Sequence, residues 1–318
     1  MINDNILEKL KPVNEEEKAI LKGEKTIDAS IYTDSDLSLI TKKKLLAAGK
    51  TITVRPHTRF IHFPEHIHDF VEAVYMCSGQ TTHIINGKKL ILREGELLFL
   101  GQNAKQEIYP AGKNDIAINF IILPQFFNKT LEMLGAEETP IKHFILDALL
   151  NNENKGYFHF KVAEVLTIQN LVENLIWTLL YDVPNRRNIN QITMGLLFMQ
   201  LLNHTDKLVY ETRSQEVILQ VFRYIENNYK DGSLAEAAKI MHCDFYWLSH
   251  EIKAQTGKTY TELLQEKRLS QAAYLLKNTS LSAEEISKAV GYENKSYFYR
   301  IFTIHYGKSP KKYRDLSR

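Results

Sequence analysis

The chain has 318 residues, of which 44% are hydrophobic and 25% are charged. This length suits two domains, and the composition excludes a disordered or fibrous protein. Its two cysteines, Cys77 and Cys243, lie far apart, which excludes a disulfide framework and a cysteine zinc site. No apolar run exceeds five residues, and the N-terminal segment lacks the core of a signal peptide. The sequence therefore predicts a cytoplasmic protein without a membrane partner.

The net charge of +2 is unevenly distributed along the chain. Residues 213–318 carry 17 Lys or Arg against 12 Asp or Glu, whereas the remainder carries 23 against 26. The last 24 residues contain seven basic side chains and one acidic side chain. A basic end on a near-neutral body suggests a polyanionic partner that binds at that end.

Residues 1–48 have a polar, helical pattern, and from about residue 50 the hydrophobic period changes to two. Asn86-Gly87 lies between two β-rich segments and predicts a tight hairpin, because both residues tolerate positive φ. Residues 111–114 are expected to close a second hairpin. The pattern predicts an antiparallel sandwich or small barrel over roughly 50–125. The expected strands are TITVRP, VEAVYM, TTHII, KKLIL, ELLFL and AINFIIL.

Two amphipathic helices are predicted after the β-rich region, over 162–181 and about 190–203, with a break at 182–187. The first has apolar side chains at helical spacing on one face. Such helices would either cap the barrel or form a dimer seam, and the sequence leaves both possibilities open. The apolar face comprises Ile168, Val172, Leu175 and Leu179.

Residues 215–318 have helical patterns throughout and contain an internal repeat. Three Ser/Thr-x-x-Glu pairs predict capping boxes at helix starts. Residues 234–257 parallel residues 283–307 with a shift of 49 to 50 positions. Each copy predicts a short helix, a tight turn and a second helix closed by glycine, which is the helix-turn-helix arrangement. The predicted boxes are Ser233 with Glu236, Thr259 with Glu262, and Ser282 with Glu285.

The second helix of each copy has one apolar and one polar face. The apolar faces are predicted to hold Phe245, Leu248 and Ile252 in the first copy, and Phe298, Ile301, Phe302 and His305 in the second. The outward faces are Tyr246, Ser249, His250 and Lys253, and then Ser296, Tyr299, Arg300 and Thr303. Hydrogen-bonding and basic groups on an exposed face suit contacts with base edges in a major groove. Arg300 could bond a guanine bidentately, and His250 could donate to an acceptor.

The segment from about 215 to 318 resembles the DNA-binding domain of AraC/XylS-type transcription regulators. The matching segments are WLSHEIKAQTG, RLSQAAYLLKNT, ISKAVGYENKSYFYRIF and GKSPKKYR. The resemblance implies two helix-turn-helix units, joined by a linker helix, that contact two successive major-groove segments. By motif position it implies base contacts from Tyr246, Ser249 and His250, and from Lys295, Ser296, Tyr299 and Arg300. Phosphate contacts, which carry no sequence information, are expected from Lys308, Lys311, Lys312 and Arg314.

Five histidines fall between residues 57 and 83: His57, His62, His66, His68 and His83. His66 and His68 would lie on one strand face, and Glu72 could follow on it. His66, His68 and Glu72, followed by Gly79, resemble the first cupin motif, whose side chains and a later histidine bind a metal in metal-binding cupins. Gln106 stands in the late position and its neutral amide is a poor ligand, so neither a metal nor another cofactor is expected. The expected effector pocket is lined by Arg55, His66, His68, Glu72 and Tyr75.

These patterns predict a multidomain α+β protein. Residues 1–135 would form an N-terminal arm and a cupin-like antiparallel barrel, 136–212 a helical connector with a dimer surface, and 213–318 an all-α double helix-turn-helix domain. The resemblance implies a homodimeric transcription regulator, not an enzyme, that binds double-stranded DNA and a small-molecule effector, such as a sugar or another nutrient; an activator would also contact RNA polymerase. Two alternatives stay open: a barrel that responds to a protein partner, and a cupin metalloenzyme with a DNA-binding appendage.

Overall fold

The computed structural model describes residues 2–129, 156–181, 183–209 and 213–316. The described chain forms two compact units, the first ending at residue 209 and the second starting at residue 213. None of the helices in these ranges has the length and apolar character needed to cross a membrane.

The N-terminal unit contains two β-sheets. One has five strands in the order β1-β3-β8-β5-β6, and the other has six in the order β11-β10-β7-β4-β9-β2. Except for the parallel pair β1 and β3, neighbouring strands are antiparallel. The strands are β1 Leu39–Ile40, β2 Ile52–Pro56, β3 Phe63–His68, β4 Val71–Ser78, β5 Gln80–Ile85, β6 Lys88–Arg93, β7 Leu97–Leu100, β8 Gln106–Ile108, β9 Ile116–Ile122, β10 Tyr157–Phe160 and β11 Leu208–Val209.

The six predicted strands are all present, as β2, β4, β5, β6, β7 and β9. The Asn86-Gly87 hairpin is confirmed, because both residues have positive φ (50° and 81°) between the paired strands β5 and β6. The second predicted hairpin, at 111–114, is wrong. That segment connects β8 to β9, which belong to different sheets. The range predicted to be a helical connector also contributes β10 and β11 to the six-stranded sheet.

Two clusters of buried side chains in the described residues belong to the unit's apolar core. One includes Val74, Met76, Leu92 and Leu98. The other includes Ile40, Phe63, Phe70 and Ile121. Burial of each such side chain contributes roughly 1.5–3 kcal/mol to stability.

The N-terminal arm, residues 2–48, packs on the barrel through a buried ion pair. Its helices are α1 Asp4–Leu10, α2 Glu15–Leu21 and α3 Lys42–Leu45. Nε and Nη2 of Arg59 donate to the two carboxylate oxygens of Glu17, at 2.7 and 2.8 Å. Burial alone would raise the pKa of Glu17, but hydrogen bonds from Arg59 and Asn14 lower it below its ordinary value. Such a bidentate pair fixes the orientation of α2 on the barrel.

Two helices of the N-terminal unit follow β10 in the described chain: α4, Leu166–Leu180, and α5, Arg186–Asn203. They match the two predicted helices and the break between them. On α4, Ile168, Val172 and Leu175 are buried and Leu179 is half-buried, so the predicted face is turned inward.

The C-terminal unit is helical throughout its described length, as predicted. The boxes at Thr259 and Ser282 are confirmed, whereas Ser233 accepts from the amide of Glu236 without a reciprocal bond. The carboxylate of Glu236 instead accepts from the hydroxyl of Tyr224 at 2.7 Å. The helices are α6 Arg213–Asn228, α7 Leu234–Ile240, α8 Phe245–Thr256, α9 Tyr260–Asn278, α10 Ala283–Ala289, α11 Lys295–Tyr306 and α12 Pro310–Asp315.

Candidate nucleic-acid interface and effector pocket

Helices α7 and α8 form one helix-turn-helix unit and α10 and α11 form the other. Asp244 and Asn294 cap the amino ends of α8 and α11 through their side chains, at 2.9 and 3.0 Å. Both helices end at a glycine in the left-handed region, Gly257 with φ 71° and Gly307 with φ 68°. The repeat found in the sequence is therefore a structural repeat, with equivalent signals at both ends of each second helix.

A close backbone approach joins the second helix-turn-helix unit to the segment between α6 and α7. Gly291, in the second turn, has φ 89°, and a Cβ there would lie 2.4 Å from the carbonyl oxygen of Lys230. Arg268, on the connecting helix α9, donates to the carbonyls of Tyr229 and Lys230, both at 2.6 Å. These contacts hold the segment that leads into α7 against α9 and the second turn. Both second helices lie in one compact unit, as simultaneous insertion into successive grooves requires.

The outer face of α8 is exposed as predicted. Tyr246 is 80% exposed, and Leu248 and Ile252 are fully buried beneath it. Phe245, at the first residue of α8, is 42% exposed and is therefore less buried than the rest of the apolar face. Trp247, 39% exposed, joins this surface and was not singled out. The remaining predicted contacts, Ser249, His250 and Lys253, are exposed.

On α11, Lys295, Ser296 and Arg300 are exposed. The guanidinium of Arg300 lies 5.4 Å from the ring centre of Tyr297, itself 44% exposed and missed by the sequence reasoning. Nζ of Lys295 lies 2.8 Å from a carboxylate oxygen of Glu284. Two predictions were inaccurate. Tyr299 is half-buried and packs against the apolar core of this unit, and His305 is exposed instead of facing inward.

Three of the four predicted phosphate contacts, Lys308, Lys311 and Lys312, are exposed. Arg314 differs, because its guanidinium donates to the carbonyl of Leu276 at 3.0 Å and to that of Leu281. It therefore satisfies backbone acceptors at and beyond the carboxyl end of α9, a role that is visible only in three dimensions.

The barrel has a small interior cavity of about 30 Å³. Arg55, His66 and His68 line it, as predicted. Glu72 is connected to it by Asn119, whose amide donates to Glu72 Oε1 at 2.9 Å. Tyr75 is not part of it: three residues from Glu72, it lies on the other face of β4, and its hydroxyl bonds the side chain of Gln169 on α4. Successive side chains of a strand point to opposite faces of the sheet. Glu72 and Tyr75 are three residues apart, so they lie on opposite faces and cannot line one pocket.

Buried polar side chains around this cavity form a neutral network. Nδ1 of His57 donates to Oδ1 of Asn119 at 3.0 Å, and Nδ1 of His66 donates to the carbonyl of Pro64 at 2.8 Å. Burial lowers the pKa of His66 to about 4 and that of His68 to about 3. It also raises the pKa of Glu72. Within the described chain, Nε2 of His57, Oε2 of Glu72 and Oε1 of Gln106 have no hydrogen-bond partner.

Gln106 lies opposite His66 in the pairing of β3 with β8, where the cupin resemblance placed the late ligand. The distance between Nε2 of His68 and Oε2 of Glu72 is 3.8 Å. Over the described ranges, no cluster of three or more His, Cys, Asp or Glu side chains is arranged to hold a metal ion.

The sequence reasoning missed several groups that close the cavity. Arg55 donates to Glu16 at 3.0 Å and to the hydroxyl of Tyr32 at 2.8 Å, so the N-terminal arm covers this side of the barrel. The sequence could have indicated Asn119 as a site residue, because it is the single polar residue in the strand AINFIIL. No sequence pattern indicates Glu16 and Tyr32, since their pairing with Arg55 depends on how the N-terminal arm folds back onto the barrel.

Comparison with known proteins matches both units to described families. The AraC-like ligand binding domain matches residues 52–202, and the helix-turn-helix domain matches residues 237–315. The HTH-type transcriptional activator RhaR from Escherichia coli K12 is 26% identical over 261 residues, covering 80% of this chain and 88% of RhaR. RhaR from the O1:K1 / APEC strain shows the same identity and coverage.

Solved structures give a weaker likeness. Apo ToxT from Vibrio cholerae covers 85% of this chain and 99% of its own, at 15% identity and a TM-score of 0.38. The C-terminal domain of AraT from Geobacillus stearothermophilus covers 33% of this chain and 88% of its own, at 31% identity and a TM-score of 0.31.

The two family matches together span most of the chain, in the order sensor domain and then helix-turn-helix domain. This order agrees with the two units of the structure, and the RhaR proteins match across both. The chain belongs to the AraC/XylS family of transcription regulators.

Proposed function

We propose that this regulator binds DNA by inserting α8 and α11 into successive major-groove segments. The observation that carries the proposal is the pair of equivalent helices, each with an exposed polar face, held in one compact body. Base contacts are assigned to Tyr246, Ser249, His250 and Lys253 on α8, and to Lys295, Ser296 and Arg300 on α11. Tyr299 is omitted because it packs against the apolar core. Lys308, Lys311 and Lys312 are assigned to phosphates, and Arg314 is omitted because it bonds the backbone.

The division between base and phosphate contacts can be tested with Arg300→Ala and Lys312→Ala as a matched pair. Arg300→Ala should cost about 1–3 kcal/mol on the specific site and relax preference at one base pair. Lys312→Ala should weaken binding to all sequences alike and reduce the salt slope by roughly one unit. Affinities for the operator and for random DNA over a range of salt concentrations would distinguish them. A uniform loss for Arg300→Ala would show that this residue contacts only phosphate.

We further propose that a small neutral molecule rich in hydroxyl groups, such as a sugar, binds in the barrel and controls DNA binding. The lone acceptors on His57 and Gln106 need donors. The histidines of the cavity are uncharged, and the cation that lines it, Arg55, is already paired with Glu16. The cavity of about 30 Å³ has room for only about two water molecules. An effector must therefore displace side chains such as Arg55 and Tyr32, which alters their bonds to the arm. Control of DNA binding requires only that the effector bind one arrangement of the N-terminal unit more tightly than another.

Thermal melting of the full chain against sugars, sugar acids, amino acids and aromatic acids tests this proposal. A ligand at a hundred times its dissociation constant should add about 2.7 kcal/mol and raise the Tm by a few degrees. Asn119→Ala should abolish that shift, whereas Tyr75→Phe, on the other face of β4, should preserve it. A shift unaffected by Asn119→Ala would place the ligand elsewhere. A Tm lowered by chelator alone would support a metal site.

We place this regulator in the cytoplasm, where its DNA is, as a non-enzymatic homodimer that contacts RNA polymerase if it activates. If no small molecule stabilises the barrel but a cellular protein co-purifies with it, a protein partner replaces the effector.

A further inference from the structure

A cleft larger than the barrel cavity lies on the N-terminal unit, between the start of β2 and the helices α4 and α5. Its volume is about 120 Å³, four times that of the barrel cavity. Its lining combines the apolar side chains of Ile52, Phe126 and Leu179 with polar and basic side chains. The cleft is thus separate from the proposed effector pocket, with which it shares no lining residue.

Positive charge converges on this cleft. Lys50, Arg186 and Arg187 all line it, and no acidic side chain does so within the described chain. Arg186 and Arg187 are also the first two residues of α5, an 18-residue helix. Asn185, which precedes them with φ 56°, makes no side-chain cap hydrogen bond to the first turn. The amino end of the helix adds its dipole and amide groups to the field of the three cations.

A buried amide also lines the cleft. Asn190 is only 2% exposed. Its side chain hydrogen-bonds the hydroxyl of Thr178, which connects α5 to α4 at the cleft.

We propose that this cleft binds a small organic phosphate. A dianion matches the basic side chains of Lys50 and Arg187 and the helix terminus better than a single carboxylate does. The apolar side chains of Ile52, Phe126 and Leu179 accommodate the organic part, which inorganic phosphate lacks. Bound there, the ligand would link the segment before β2 to the amino end of α5.

Calorimetric titration of the full chain with phenyl phosphate tests the proposal. Lys50→Gln and Arg187→Gln, both at exposed positions, should each weaken binding by about tenfold, because each removes a charge-assisted hydrogen bond. Two matched controls remove a charge elsewhere: Lys89→Gln on β6 and Lys312→Gln in the DNA-binding unit. Both should keep the affinity of the unaltered chain. Inorganic phosphate and benzyl alcohol test each half of the ligand alone, and both should bind at least tenfold more weakly.

Loss of affinity in Lys312→Gln, with none in Arg187→Gln, would place the phosphate on the DNA-binding surface and overturn the proposal. Equal affinity for inorganic and phenyl phosphate would overturn the assignment of an organic ligand. These results are independent of the barrel effector, because Asn119→Ala removes that effector's shift and leaves the cleft intact.

Discussion

Hydrogen bonds fix the protonation of several buried histidines in the barrel. Nε2 of Gln106 donates to Nδ1 of His83 at 3.1 Å, so the proton of this imidazole is on Nε2, which donates to Thr81 at 2.8 Å. A second proton on His83 would replace the bond from Gln106 with a repulsive contact between two donors. The barrel is therefore built around neutral imidazoles, and burial lowers the pKa of His83 well below its ordinary value.

This network predicts that acid destabilises the N-terminal unit. The pKa of His66 is lowered from 6.5 to about 4, so the unfolded chain takes up its proton first as the pH falls. The stability contributed by neutral His66 is complete above pH 6.5 and is lost toward pH 4, and His68 behaves in the same sense. As the pH falls from about 6.5 to about 5, each of these two histidines should lower the free energy of unfolding by on the order of 2 kcal/mol. Glu72, whose pKa is raised, acts in the opposite sense and loses stability as the pH rises above 4.5.

Melting curves near neutral pH and in mild acid check this prediction with His66→Gln, which cannot titrate. The variant should lose less Tm on acidification than the unaltered chain does. His305→Gln, which removes an exposed histidine from α11, serves as the control and should keep the full acid-induced drop. Equal drops in all three proteins would show that the barrel histidines do not control acid stability.

At the scale of elements, both turns of the helix-turn-helix repeat contain a residue with positive φ, but the residue is glycine in one turn and histidine in the other. Gly291 and His242 occupy equivalent positions, 49 residues apart, and both have positive φ, 89° and 51°. At Gly291 the backbone of Lys230 leaves no space for a Cβ. His242 carries a side chain in the left-handed region, at a cost of roughly 1–2 kcal/mol.

Opposite substitutions in the two turns should therefore have opposite effects. Gly291→Ala should lower the free energy of unfolding by about 1–3 kcal/mol, since it adds strain and a clash with Lys230. His242→Gly should raise it by up to about 1 kcal/mol, because relief of strain exceeds the entropy cost of glycine. Urea unfolding of the full chain measures both. A lower free energy of unfolding in both variants would show that the side chain of His242 stabilises its turn.

The elements predictable from sequence were those whose pattern is complete within a few residues. The six alternating strands, the Asn86-Gly87 turn and the boxes at Thr259 and Ser282 all depend on neighbouring residues. The strands β10 and β11 are short and flank a helical segment, so only their pairing with β7 and with each other makes them strands. Likewise, Arg314 bonds carbonyls more than 30 residues away in sequence, as its partners Leu276 and Leu281 show. Spacing cannot indicate such contacts.

At the scale of the whole molecule, the charge division follows the structural division. The excess of positive charge lies in residues 213–318, which contain both helix-turn-helix units, and the N-terminal remainder is slightly acidic. That remainder has a different exposed feature, which is apolar. On the outer side of the α4–α5 pair, Leu166 is 70% exposed, Ile192 46%, Leu196 43% and Trp177 37%. Ile192 and Leu196 lie one turn apart on α5, and exposed apolar neighbours of this kind are typical of an interaction site.

In the proposed homodimer, we expect this surface to join the two copies of the chain. Two linked DNA-binding units would then bind paired half-sites more tightly than one unit does. Ile192 and Leu196 lie one helical turn apart on α5, so a paired copy would bury both together. The double variant Ile192→Glu, Leu196→Glu should be monomeric in analytical ultracentrifugation. It should lose affinity for a two-half-site operator by at least tenfold, while binding a single half-site as the unaltered chain does. Leu21→Glu, which places a carboxylate at an exposed leucine on α2, should leave the dimer intact. A dimer that survives the double substitution on α5 would mean that the association depends on a different surface.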